Sequence, residues 1–211
     1  MNKKNMNKSG KIISSVNVVS FMLGLLFIGF LSLGLGCKGG GNGGDAERNG
    51  VDSAMDLNKE KIADSTTAIS KDDADFMVKA ANGGMTEVQA AQIAEQKAST
   101  GKVKQFATKM REDHSKLNDQ LSQLAKDLNV TIPSAIDQDS QSMIDKLNQT
   151  PAVDFDKTFM DMMVKGHDNT VDLFQKASKS VVNPEIHNFI TSALPTIESH
   201  QQMAKKIKAS L

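Results

Sequence analysis

Beyond about residue 70 the chain places apolar side chains at alternating steps of three and four, four times over. The first run is Met77, Ala80, Gly84, Glu87, Ala91, Ala94 and Ala98, and the second is Val103, Ala107, Met110, His114, Leu117, Leu121, Leu124 and Leu128. The third is Asp156, Met160, Met163, His167, Thr170, Phe174 and Ala177; the fourth is Ile186, Ile190, Ala193, Ile197, His200, Ala204 and Ile207. That spacing lays one stripe along each of four amphipathic helices, the seams that a helical bundle buries. Each stripe carries a titratable group near its middle: Glu87, His114, His167 and His200.

The residues between the stripes predict where the helices begin and end. Ser70, with Asp73 three positions on, resembles a capping box and opens a helix over residues 70–98. Gly83 and Gly84 inside it cost roughly 1 kcal/mol each against Ala, so a close helix approach or a bend is expected there. Ser99-Thr100-Gly101 is so short that the second helix, running to about residue 129, must return antiparallel to the first. Residues 130–149 hold Pro133 and a short amphipathic piece around Met143, Ile144 and Leu147, a connection long enough to cross a bundle. Thr150-Pro151 and Asn183-Pro184-Glu185 read as caps followed by a first-turn proline, opening the third and fourth helices. Pro195 falls inside the fourth and predicts a kink one turn before His200.

Counting along these helices sets the height of each polar group. Glu87 lies 11 residues before Ala98 and His114 lies 13 after Gly101, about 3 Å apart in height at 1.5 Å per residue. The same count puts His167 and His200, and His114 and His167 if their helices are parallel, about 4 to 5 Å apart. All four converge near mid-bundle.

The N-terminus follows a different pattern. Residues 1–11 are basic and polar, and residues 16–35 are almost wholly apolar, as in an export signal. The only cysteine, Cys37, follows Gly36 as the acylated cysteine of a lipoprotein signal does; an uncleaved anchor helix is the alternative, since roughly 20 apolar residues can span a bilayer. The expected organisation is a signal peptide over residues 1–36 and a flexible linker over residues 37–69, Gly-rich then polar, starting at lipidated Cys37. Residues 70–211 form the bundle. Either reading tethers the chain to a membrane, facing the periplasm or the cell exterior.

Composition narrows the functional classes. The chain is neutral overall, but its first four lysines lie in the N-terminal segment and the remainder carries net −4. No basic stripe marks a nucleic-acid partner. With no Trp or Tyr and six Phe after the N-terminal segment, Met and Ala must fill much of the core. A lone cysteine takes disulfides out of the stability argument.

Several stretches together resemble one family. They are Asp75-Phe76 through Ala80-Ala81, Gly84-Met85-Thr86-Glu87-Val88, Val103-Lys104-Gln105-Phe106-Ala107, Asp113-His114-Ser115, Phe155-Asp156, Met163-Val164 with His167, and Leu194-Pro195 with His200. Over roughly residues 72–210 the chain is similar to the exported bacterial "domain of unknown function 4142" family, grouped with ferritin-like four-helix bundles. It departs from the family pattern at Phe159, Gly166 and Gln89-Ala90. The resemblance implies an all-α, ferritin-like four-helix bundle with a long crossover between the second and third helices. It implies no reaction.

Three imidazoles and a carboxylate at one height suit a transition metal, with Glu87, His114, His167 and His200 as direct ligands and Asp113, Asp156 and Glu198 as acceptors that orient the imidazoles. A standard di-iron centre needs Glu-x-x-His pairs, and Arg111 and Ile197 stand where those glutamates would be. The bland reading is a hydrogen-bonded core network that fixes helix register. No nucleophile with its base and no phosphate loop is present, so no catalytic residue is assigned. The first expectation is therefore a membrane-tethered cell-envelope module that is structural or binds an envelope partner or a second copy. The alternative is a metal-binding or redox protein using the His/Glu cluster.

Overall fold

The computed structural model describes residues 50–211; the expected signal segment, Cys37 and the start of the linker lie outside the described residues. Six helices follow in order: α1 (Gly50–Ala63), α2 (Lys71–Lys97), α3 (Gly101–Asp127), α4 (Gln138–Gln149), α5 (Ala152–Ser180) and α6 (Pro184–Lys208). There is no strand among the described residues, and no helix among them is long and apolar enough to cross a membrane.

The four long helices form the bundle, α2 packing beside α3 and α5, and α6 beside α5 and α3. Two carboxylates fix their directions. Asp156, at the start of α5, accepts hydrogen bonds from the backbone N–H groups of Ser99 and Thr100 in the α2–α3 turn, each 2.8 Å. At the other end, Asp73 in the first turn of α2 accepts from Val182 N–H between α5 and α6, 3.1 Å. Helices α3 and α5 therefore run the same way, and the connection bearing α4 crosses the length of the bundle. Helix α4 lies against α2 and α5.

Local chemistry explains the ends. Ser70 Oγ accepts from Asp73 N–H, and Asn183 Oδ1 accepts from Glu185 and Ile186 N–H, so both caps satisfy donors that a first turn leaves free. Asp73 is not the reciprocal half of a capping box; its carboxylate faces the α5–α6 turn instead. Thr150 is corrected as well: its hydroxyl donates to Lys146 O at the end of α4, and α5 starts after Pro151 without a side-chain cap. Helix α6 continues unbroken through Pro195. At Gly84 an added Cβ would fall 2.0 Å from Asn118 Oδ1, the close α2–α3 approach expected from the paired glycines.

The linker expectation fails over residues 50–69. Gly50–Ala63 is helical, Ala54 and Asn58 are buried, and Ile69 joins the core. Asn58 contributes a specific anchor: its amide donates to Thr131 O at 2.8 Å and accepts from Thr131 N–H at 2.7 Å, satisfying both backbone groups of that residue.

The core divides in two. One apolar cluster holds the start of α2, the end of α3, the end of α5 and the start of α6, around Met77, Leu121, Phe174 and Ile190. The other holds the opposite halves of those helices, around Ala94, Met110, Phe159 and Ala204. Between them lies a polar layer containing Glu87, His114, His167 and His200, all buried.

Candidate metal centre

Each member of the layer occupies the apolar face of its own helix, so packing of the stripes delivers all four to one level. Met110, His114 and Leu121 are buried together on α3, as are Met163, His167 and Phe174 on α5 and Ile197, His200 and Ala204 on α6. The ring centroids are 5.2 Å apart for His114–His200, 5.5 Å for His114–His167 and 5.8 Å for His167–His200. One nitrogen from each ring can be chosen so that all three lie within 4.8 Å of one another.

The partners of the remaining nitrogens set the tautomers. His167 Nδ1 donates to the Met163 carbonyl at 2.9 Å, which leaves Nε2 as a lone pair; that atom is buried and has no partner. His200 Nε2 donates to Asp113 Oδ2 at 2.9 Å, leaving Nδ1 to accept from His114 Nε2 at 3.2 Å. His114 Nδ1 faces Glu87 Oε2 at 3.0 Å, while Glu87 Oε1 is 3.5 Å from His167 Nδ1. Both are charge contacts; neither Glu87 oxygen has a well-aligned hydrogen-bond donor.

Electrostatics follow from this arrangement. Burial by itself would raise the Glu87 pKa, but the neighbouring His114 and His167 outweigh it and bring it down to about 2. Burial likewise opposes charge on His114, yet Glu87 beside it wins and raises its pKa. His167 is lowered by burial, and His200 is pushed down to about 4 by burial and by His114. The layer thus holds one carboxylate, one imidazole that favours its proton and two that favour neutrality.

The sequence-predicted residues sort by position. His114, His167 and His200 converge. Glu87 stands behind them, at the Nδ1 side of His114 and His167, and Asp113 reaches across from α3 to orient His200. Asp156 is not near this set, because its carboxylate is taken by Ser99 and Thr100 at the bundle end. Glu198 accepts from Gln175 on the exposed side of α6. The Met163 carbonyl is the orienting acceptor that no side-chain pattern could have pointed to.

A four-helix bundle with a crossover and a buried three-histidine layer is the class that fold and site define. The chain belongs to the family described as "Domain of unknown function (DUF4142)", whose sequence model matches residues 58–207. No curated protein matches it. Among solved structures it is similar in fold to a DUF305 fragment from Deinococcus radiodurans, at 11% identity and TM-score 0.61, covering 68% of this chain and 99% of that one. It is also similar in fold to CopM in the Cu(I)-bound form, at 16% identity and TM-score 0.56, and in the Cu(II)-bound form, at 17% and 0.57. Each of these covers 65% of this chain and 96% of CopM.

Proposed function

We propose that this protein binds a single transition-metal ion between His114, His167 and His200. One observation carries the reading: a buried His167 Nε2 lone pair without a partner, on a ring whose centroid is 5.5 and 5.8 Å from two imidazoles already joined to each other. An unpaired polar atom in a core is costly, and a register-fixing network would be expected to close it. Three nitrogens on an ion with bonds of about 2.1 Å in a tetrahedral arrangement stand about 3.4 Å apart. The pair His114 Nε2 and His200 Nδ1 is at 3.2 Å, and the three rings offer a set of nitrogens within 4.8 Å that a small shift would close on one ion.

The outer groups suit the same role. Glu87, Asp113 and the Met163 carbonyl each face the ring nitrogen that would not bind the ion, which is how acceptors fix a ligating histidine. Glu87 is therefore an orienting and charge-balancing group and not a direct ligand. Binding displaces the proton from His114 Nε2, so uptake releases a proton. An all-imidazole set favours Cu(II) and Zn(II) over harder ions. The likeness to CopM, caught with copper in two oxidation states, makes copper the first ion to test.

The same proposal includes export and a membrane tether through Cys37, supported by the basic, then apolar, then small-Cys order of the N-terminus. A Cys37→Ser chain released from the membrane fraction supports the lipid tether; one retained there supports an anchor helix. For the metal, the full-length chain purified in detergent is titrated with Cu(II) and Zn(II), with elemental analysis after desalting. About one ion per chain is expected, falling to background in a folded His114→Ala, His167→Ala double variant. Equal metal content in both chains overturns the site.

A further inference from the structure

A groove of about 650 Å³ between α2, α4 and α5 reaches the buried layer, and Glu87 is the member of that layer that lines it. Two glycines line it. At Gly83 an added Cβ would meet nothing within 4 Å, and at Gly166 it would come 3.6 Å from Glu87 Oε1, so the backbone at Gly166 passes directly over the carboxylate. Met163, whose carbonyl holds His167, lies in the same wall.

The exposed charge along the groove that has no partner is positive. Lys79, Lys146 and Lys165 line it, all exposed, and none has an ion pair or side-chain hydrogen bond among the described residues. The other acid in the lining, Asp161, is already paired with Lys157 at 2.7 Å and Lys208 at 2.6 Å. A free hydrated cation would meet three ammonium groups before the carboxylate; an anionic complex of the same ion would be drawn in. The volume lies in the range of small-ligand sites.

We infer that the groove receives the ion as an anionic small-molecule chelate of the polycarboxylate type and gives it access to the histidine layer from the Glu87 side. This rests on the three-histidine reading. The transfer is ligand exchange: metal–oxygen bonds to the chelate break one at a time as bonds to protein donors form. The oxidation state is unchanged, and the proton leaving His114 Nε2 is taken up by a released carboxylate or by water.

The test follows loading of the metal-free, full-length chain by stopped flow, from Cu(II)–citrate, which is anionic, and from bis-glycinato Cu(II), which is neutral. In the Lys79→Glu, Lys146→Glu, Lys165→Glu variant, citrate loading is expected to slow about tenfold or more, in line with the usual size of electrostatic steering. Neutral loading and final stoichiometry stay unchanged. Gly166→Leu, which fills the space over Glu87, slows both sources and leaves stoichiometry intact. Wild-type chain that loads while the lysine variant keeps its citrate rate overturns the chelate preference, and an undisturbed rate in Gly166→Leu overturns the route. Wild-type chain that takes up no ion from either source overturns the three-histidine reading itself, a result separate from both.

Discussion

His167 turns its Nδ1 back onto the Met163 carbonyl one turn earlier in α5, 2.9 Å away, and thereby leaves its Nε2 buried and unpartnered. That relationship separates a metal site from a structural network. Met163 O belongs to the helix ladder in any case, so replacing His167 by Leu removes an unsatisfied polar atom and, with it, the 3.5 Å charge contact to Glu87 Oε1, two changes of opposite sign. Its stability should stay within about 1 kcal/mol of wild type. Glu87→Leu, by contrast, strips the partner from a buried imidazole that favours its charge and should cost about 3 kcal/mol. Denaturant melts with and without Cu(II) check both: His167→Leu keeps its metal-free midpoint and loses the shift that copper gives wild type. A metal-free loss above about 3 kcal/mol in His167→Leu would mean the imidazole holds the core together.

The four bundle helices and the common height of their polar groups were legible because a period near 3.6 and a fixed rise per residue are properties of sequence alone. What went unread depended on partners distant in sequence. Helix α1 has no sustained apolar face; its Asn58 amide pairs with a backbone 73 residues away. Asp156 sits on the inward stripe, but at the helix start, where free N–H groups of a neighbouring turn claim it. Glu87 was placed at the right level, yet whether it stands among the histidines or behind them depends on ring orientation. That orientation is set by Asp113 and a carbonyl.

Asp156 gives the pH prediction. Burial would raise its pKa, but the backbone and hydroxyl of Ser99 and the backbone of Thr100 hold it below the ordinary carboxylate value. A carboxyl whose pKa is lower folded than unfolded stabilises the fold above the unfolded value of 3.8, and that stability drains away as pH falls through the folded value. Asp156→Asn should cost about 1 to 3 kcal/mol at neutral pH, through amide donors left facing donors. Its stability should also fall less steeply than wild type below pH 3.8. Urea midpoints taken across the acid range measure both; parallel acid limbs in the two proteins would remove Asp156 as the titrating clasp.

Asn58 makes two hydrogen bonds to Thr131, and Lys61 adds contacts of 3.1 Å to Asn129. These polar contacts stand beside the burial of Ala54 and the packing of Ile62 on the core. Asn58→Ala should weaken α1 docking by about 2 kcal/mol, from two bonds at about 1 kcal/mol each. The bundle itself should melt nearly as before. Hydrogen exchange should show protection falling roughly thirtyfold in residues 50–63 alone, that energy expressed as an equilibrium ratio. Loss of protection throughout α2 and α3 would make α1 part of the cooperative core.

Gly84 leaves room for the Asn118 side chain between α2 and α3, and the coupling of the two residues can be measured. An alanine Cβ at position 84 would sit 2.0 Å from Asn118 Oδ1 and 3.1 Å from its Cγ, so the amide must swing away from its place. Overpacking of this kind costs about 1 to 3 kcal/mol, against a gain of about 1 kcal/mol from replacing glycine inside a helix. Gly84→Ala should therefore lower stability by about 1 kcal/mol in the wild-type chain. In an Asn118→Ala background the obstacle is gone and only the helix term remains, so the same substitution should raise stability by about 1 kcal/mol. The sign change across the double-mutant cycle is the signature of direct contact. Equal effects in both backgrounds would show that Asn118 is not what the added methyl meets.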